Sequence, residues 1–263
     1  MSEAWEQAAR AAELAGVEIR PLTSLGEADR AVEVMKLTWG EHQLIPRELL
    51  RAFQASESVF QGAYRGNDLV GFVLGFYGGD ADGFHLHSHM LAVMPDVRSQ
   101  GVGYALKLAQ KAATLDAGVT RARWTFDSLQ ARNAQFNLSK LGAVADGFHR
   151  DFYGEMGDLL NEGDRTDRLF VRWDLLETRT PSPVDGLEVL GREGPDDAPR
   201  PTEVRVPSGG PALVRIPRDH PGLRRRDPGL GQAWREASAR AFEACFEAGL
   251  AATGFGDATY AFT

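Results

Sequence analysis

"HLHSHMLAVMPDVRSQGVGYALKL", residues 85–108, sets three histidines at alternate positions, then an apolar run, a proline, an arginine and two glycines. Residues two apart on a strand project from the same face, so His87 and His89 share one wall, with His85 farther along it. The run over 85–93 predicts a strand. Over 101–117, Ala105, Leu108, Ala109, Ala112 and Leu115 recur at helical spacing and predict a helix. Between the two lies Arg98-Ser99-Gln100-Gly101-Val102-Gly103. Glycines at a strand-to-helix junction let the backbone come close to a ligand, and the N–H groups of the helix start point at it, which makes an anion site. The same glycines also suit an ordinary turn. The spacing is not that of GxxxxGK[ST], and the first glycine of GxGxxG is absent.

Working outward, residues 17–20 predict a strand, and 26–38 a helix with Ala31, Val32, Val34, Met35 and Leu37 inward. A second helix is expected over 46–54 with Pro46 near its first turn. "VFQGAYRGNDLVGFVLGFYG" predicts a hairpin about Arg65-Gly-Asn-Asp68. After the central helix, Ala122, Trp124 and Phe126 alternate with polar residues as in a strand with one apolar face. A short helix over 131–141 is closed by Gly142, and strands follow near 143–153 and 168–175. From Thr178 the composition turns to Pro, Gly and Asp, as in linkers and loops. A hairpin about Ser208-Gly-Gly210, a helix over 229–249 and a terminal strand predict a smaller C-terminal α+β lobe. The expected domains are therefore 1–177 and 178–263.

Composition narrows the function classes. With 263 residues, 43% of them hydrophobic, the chain can bury a sizeable core. A net charge of −8 argues against general nucleic-acid binding, which rests on cationic contacts with phosphates. The basic run Arg224–Arg226 is expected to be a solvated loop. The single cysteine, Cys245, excludes an internal disulfide or a cysteine zinc site and fits a core position in the C-terminal helix. The start, MSEAWEQAARAAELAG, lacks the cationic and apolar parts of a signal peptide, and no later run reaches the ~20 apolar residues of a membrane span. The expected compartment is the cytoplasm.

"LAVMPDVRSQGVGYAL" resembles the central motif of the GCN5-related N-acetyltransferases, a strand ending in Val-x-Pro followed by [R/Q]xxGx[G/A] and a helix. The resemblance covers roughly residues 17–176. It implies an acyl-CoA N-acyltransferase fold, a mixed, mostly antiparallel α/β (α+β) sheet flanked by helices. It further implies that the backbone of Arg98, Ser99, Gln100, Gly101, Val102, Gly103 and Tyr104 holds the pyrophosphate of coenzyme A. Leu91 and Val93 would flank the pantetheine, with the Val93 N–H aimed at the acyl carbonyl oxygen. His87-Ser-His89-Met-Leu-Ala-Val93 is similar to the HxHxLAV of the arylalkylamine N-acetyltransferases, where two histidines help deprotonate the amine. An amine is mostly protonated at neutral pH, and imidazole, with an ordinary pKa of ~6.5, accepts protons near there. A metal site or hydrogen-bonded rings of a half-buried sheet are the other readings of the cluster.

"RWTFDSLQARNAQFNLSKLGA" matches the position of the family's next strand and helix. Trp124 and Phe126 read as core. Asp127 reads as a base, a substrate contact or a helix cap, and capping suits Asp best. Asn133 is a candidate coenzyme contact or simply helical. The tyrosine that serves many relatives as acid corresponds to Leu138, so Tyr153 and Tyr104 stand as substitutes; a thiol with a pKa near ~8.5 also leaves as thiolate. WTFDxLxxxNAxFN with Asp167-Arg-Leu-Phe-Val-Arg-Trp173 looks like a little-characterised group associated with N-acylated, in part N-succinylated, amino acids. Asp167 and Arg168 are expected to pair at a strand start.

The reading is transfer of an acetyl or succinyl group from acetyl-CoA or another acyl-CoA to a primary amine by direct attack. His87 and His89 act as base, Tyr153 is a catalytic candidate, and no metal is needed. A small-molecule amine, in some cases an amino acid, is the expected partner, with a homodimer as candidate assembly and no nucleic acid or membrane. A succinyl carboxylate would call for a guanidinium, for which Arg123, Arg235 and Arg240 are candidates, each otherwise a surface residue. The competing class is a non-catalytic coenzyme A-binding module with a protein partner.

Overall fold

The computed structural model describes residues 2–41, 44–157, 163–207 and 209–263. The chain forms two compact units, one centred on Met1–Arg123 and the other on Trp124–Met156 with the chain that ends at Thr263. The division falls inside one strand, not at the change of composition near residue 178.

The first unit runs α1 (Glu3–Leu14), β1 (Glu18–Pro21), α2 (Leu25–Trp39), α3 (Arg47–Ala55), β2 (Val59–Arg65), β3 (Asp68–Asp80), β4 (Gly83–Val93), a 3₁₀ turn (Pro95–Val97) and α4 (Val102–Asp116), then the start of β5 (Arg121–Asp127). Its strands lie in the order β1-β2-β3-β4-β5. All pairs are antiparallel except β4 with β5. The Arg65↔Asp68 pair closes the hairpin expected from sequence, and only Gly66 of its turn takes a positive φ. On one face of the sheet Ala31, Val34 and Met35 of α2 and Leu50 of α3 pack against Phe60, Phe72 and Leu74. On the other, Val102 and Leu106 of α4 pack against Ala63, Val70 and Val73. Leu37 was expected inward but is 56% exposed, because the α2 stripe that meets the sheet passes through Ala31, Val34 and Met35. The N-terminal helix α1 is an addition to the sequence reading; its alanines Ala8 and Ala12 are buried while its acidic residues stay outside.

The second unit holds the end of β5, α5 (Ala131–Ala134) continued as a π-helical turn (Gln135–Lys140), β6 (Val144–His149), β7 (Arg168–Asp174) and β8 (Leu187–Leu190). It continues through a short ribbon of β9 (Arg192–Glu193) and β10 (Arg200–Pro201), then β11 (Ala212–Arg215), α6 (His220–Arg226), α7 (Pro228–Glu247), β12 (Ala252–Gly256) and β13 (Thr259–Phe262). β6 pairs with β7 and β12, β12 with β13, and β11 with β13, all antiparallel; β8 joins β11 in parallel. The expected hairpin of 202–206 with 212–216 is not formed: 202–206 is not a strand, and β11 pairs with β13 and β8 instead. Ser208, in the expected turn, lies outside the described residues. Helix α7 buries Trp234, Ala241, Phe242 and Cys245. Burial pushes the Cys245 thiol up to about 12, as a core cysteine requires.

Among the described residues no helix is long and apolar enough to cross a membrane.

Candidate active site

Strand β4 carries the histidines. Its register against β3 is regular from Gly78↔His85 to Gly75↔Ser88, then jumps to Leu74↔Met90, leaving His89 as a bulge. The extra residue changes which side chains face which way. His87 and His89 lie together, ring centroids 5.8 Å apart. Both meet Phe76, at 5.1 and 5.8 Å, and Phe76 stacks on Phe53 of α3 at 5.5 Å. Beyond the bulge, Leu91 and Val93 turn to the α4 side and pack with Val97, Val102 and Leu106. Simple alternation would have left His87, His89, Leu91 and Val93 on one face. The bulge instead separates the histidine wall from the pair expected to flank a pantetheine.

Enclosure of His87, helped by the positive fields of His89, His85 and Lys107, lowers its pKa to about 4. The more open His89 is lowered too, by desolvation. Both rings are therefore neutral near pH 7 and able to accept a proton. His85 sits apart from them with its Nδ1 3.4 Å from Asp80 Oδ2, and Asp80 accepts a 2.9 Å hydrogen bond from Arg123. Among the described residues no group of three or more His, Cys, Asp and Glu side chains is placed to hold a metal ion.

At the end of β4, Met94 N donates to Val70 O of β3. Successive N–H groups of an extended strand point to opposite edges, so the Val93 N–H faces away from β3. The Val93 carbonyl on that edge accepts from Arg98 Nε at 3.1 Å. The ladder between β4 and β5 consists of Leu86↔Ala122 and His87↔Arg123 and does not reach Val93.

The loop from Arg98 to α4 is held by its own side chains. Gln100 Nε2 donates to Asp96 O, and its Oε1 accepts from Arg65, which also reaches Ala15 O. Ser99 has φ +67° and Gly101 φ +89°, a left-handed pair that turns the chain into the helix. Gly101 is the N-cap and has no side chain to occupy the donors of the first turn. A Cβ at Gly103 would stand 3.7 Å from both Leu91 Cδ2 and Val93 Cγ2, so its missing side chain keeps that flank of the helix start low. These features fit the pyrophosphate end of coenzyme A: open N–H donors at a helix N-terminus, no side chain at the cap, and Arg98 alongside.

The other expected residues lie in the second unit. Asn133 is exposed on α5. Tyr153 is in the turn after β6, not on the strand, and its hydroxyl lies 3.1 Å from Thr125 Oγ1 with the Arg168 guanidinium 5.3 Å from its ring centroid. Leu138 is fully buried in the π turn. Asp127 does cap a turn, accepting from Leu129 N at 3.0 Å, but it also binds Arg235 Nη1 at 2.7 Å. Burial alone would raise its pKa; the Arg235 guanidinium outweighs that and holds the carboxyl below the usual carboxylate range. Arg235 is 3% exposed and also joins Asp164, so the surface role expected of it is wrong; the helix stripe that carries Trp234 and Ser238 takes Arg235 inward with it. Arg240 is exposed as expected. Asp167 pairs with Arg165 at 2.7 Å rather than with Arg168, whose Nη1 bonds only the Asp167 backbone carbonyl of that residue. Arg224–Arg226 form the last turn of α6, not a loop, and Arg224 reaches Asp164 at 3.1 Å.

Residues 29–142 match the Acetyltransferase (GNAT) family. The chain has the GNAT fold. Ard1 from Thermoplasma volcanium is 16% identical with a TM-score of 0.50, over 62% of this chain and 99% of its own. A proposed acetyltransferase of Acinetobacter baylyi ADP1 gives the same identity and TM-score over 62% and 96%. The ribosomal-protein-S18-alanine N-acetyltransferase from Escherichia coli is 15% identical with a TM-score of 0.49, over 60% and 94%. No curated protein matches the chain. The GNAT match begins within α2 and ends at Gly142, so it takes in β4, the Arg98–Tyr104 loop and α4. Phe76, Ser88 and Lys107 were not picked out from sequence. Phe53 and Phe76 carried no signal beyond apolar spacing, and spacing alone could not show that Lys107 has the buried partners Ser88 and Gln110.

Proposed function

We propose that the protein is an N-acetyltransferase that takes its acyl group from acetyl-CoA and passes it to the primary amine of a small molecule. One observation carries the reading: within the first unit, the glycine-capped start of α4 adjoins the strand that ends at Val93 and bears the His87–His89 pair. Bound acetyl-CoA supplies a thioester whose carbonyl carbon is open to an amine; as the carbon–nitrogen bond forms, the carbon–sulfur bond breaks and coenzyme A leaves as its thiolate. The N–H groups from Gly101 to Gly103, with Arg98, hold its pyrophosphate. The Val93 N–H is the donor for charge that develops on the carbonyl oxygen, where a fixed dipole counts most.

The two histidines divide the proton work by their enclosure. A base whose pKa is about 4 does not strip an ammonium ion to any extent. It is suited to the proton shed as the amine nitrogen bonds to carbon, when that proton has become strongly acidic. His89, the more open ring, takes the first proton and passes it to water. The wall of Phe53 and Phe76 beside the pair favours an apolar group next to the amine. The acetyl donor is supported over the succinyl one by the engagement of two of the three candidate cations: Arg123 already holds Asp80, and Arg235 holds Asp127 and Asp164, while Arg240 is exposed.

Thiol release from acetyl-CoA, measured over a panel of small primary amines and of peptides with free N-termini, tests the proposal. Small amines are expected to turn over, and His87→Ala/His89→Ala to lower kcat by ~10²–10⁴-fold. Turnover and a pH profile unchanged in the double variant would remove the base assignment, and turnover of peptides alone would move the acceptor to proteins.

A further inference from the structure

Lys107 is the one lysine of α4 that the fold encloses almost completely, at 3% exposure, between the buried Leu106 and Leu108. Its Nζ donates to Ser88 Oγ at 2.9 Å and to Gln110 Oε1 at 3.0 Å, and the Ser88 hydroxyl donates to the same Gln110 oxygen at 2.7 Å. The Gln110 Nε2 is buried with no hydrogen-bond partner among the described residues. A Cβ on Gly75 would stand 2.9 Å from that nitrogen and 3.0 Å from the His87 carbonyl, so glycine there lets the three polar side chains seat close to the strand.

Burying an ammonium group costs free energy, and an apolar side chain of the same length would fill the space without that cost. Desolvation lowers the amine to about 7. What the group holds is specific. Ser88 lies between His87 and His89, at the last paired position before the register jump that leaves His89 in the bulge. Strand bulges re-aim side chains, and this one gathers the two histidines against Phe76 while Leu91 and Val93 turn to α4.

We propose that Lys107, Ser88 and Gln110 form a buried positioning triad that fixes the bulge at His89 and, through it, the aim of both histidines. Its consequence for rate rests on the reading of the pair as proton acceptors; its structural content does not. The charged and titratable groups around His87 are His85 and His89 on its own strand, Lys107 from α4, and Arg123 at the ladder position on β5.

The full chain with Lys107→Met, which keeps length and removes the donors, is compared with the parent by NMR and by acetyl-CoA kinetics. The backbone and ring signals of His87–Met90 are expected to move, those of Arg98–Tyr104 to stay, and the His87 titration midpoint to rise as a neighbouring positive charge is lost. A positioning role predicts kcat lower by about tenfold with KM for acetyl-CoA within about twofold, since small misplacements of reacting groups are costly. Ser88→Ala, which cuts the link to the strand and leaves the lysine in place, is expected to move the same signals and serves if the first variant does not fold. Unmoved signals at 87–90 in a folded variant of either kind would overturn the triad. Moved signals with unchanged kcat would support it and count against the histidines as base.

Discussion

His87 is the residue whose environment can be read most directly in solution. Its pKa falls from the ordinary 6.5 to about 4 on folding. Between those values the unfolded chain binds a proton that the folded chain does not. Its contribution to stability is therefore complete above pH 6.5 and is lost as the pH falls toward 4, up to about 3 kcal/mol for one group. Denaturant titrations at pH 7 and pH 4.5 should show the parent losing more stability than His87→Phe, by about 2 kcal/mol; equal losses would mean that the ring is not desolvated. The histidine pair was legible in the sequence because alternate residues on a strand share a face. The bulge that keeps this pair together and sends Leu91 and Val93 elsewhere was not, because register depends on which residues of β3 lie opposite.

Helix α4 is the element on which the proposed acyl-CoA binding turns, and its two glycines act differently. Gly101 sits at φ +89°, where any other residue is strained, so Gly101→Ala should lower stability by about 1–2 kcal/mol in thermal or denaturant unfolding. Gly103 has ordinary backbone geometry, and its added Cβ meets only side-chain carbons at van der Waals distance, so Gly103→Ala should be close to neutral in the same measurement. A loss at Gly103 as large as at Gly101 would contradict this geometry. Apolar spacing placed α2, α3, α4 and α7, and the cores of α2 and α4 follow the predicted stripes except at Leu37. It missed the inward turn of Arg235 and Lys107, because spacing alone cannot show that a charged group has a buried partner. The helix expected over 131–141 changes to a π turn after Ala134, and no local sequence feature gave notice of it.

At the scale of the whole molecule, the change of composition near residue 178 does not separate two independent cores. In the second unit Phe148 of β6 packs on Phe242 of α7 at 5.5 Å, Tyr260 donates to Ser128 O, Ser139 donates to Phe255 O, and Arg235 joins Asp127. A chain ending near Thr178 would expose that core and leave Asp127 buried without its partner. Such a chain is expected to aggregate or to lose the protected amides of β6 and β7 in hydrogen exchange; a stable truncated protein would show that these contacts are dispensable. Arg235→Met in the full chain should cost about 3–5 kcal/mol in denaturant unfolding, the usual effect of leaving one side of a buried ion pair uncompensated. Whether the start of α4 is the acyl-CoA site is decided by calorimetric titration of coenzyme A into the parent and into folded Gly103→Asp. Binding by the parent and none by the variant is expected, because the added carboxylate opposes the pyrophosphate at the helix start; equal affinity in both would place the coenzyme elsewhere.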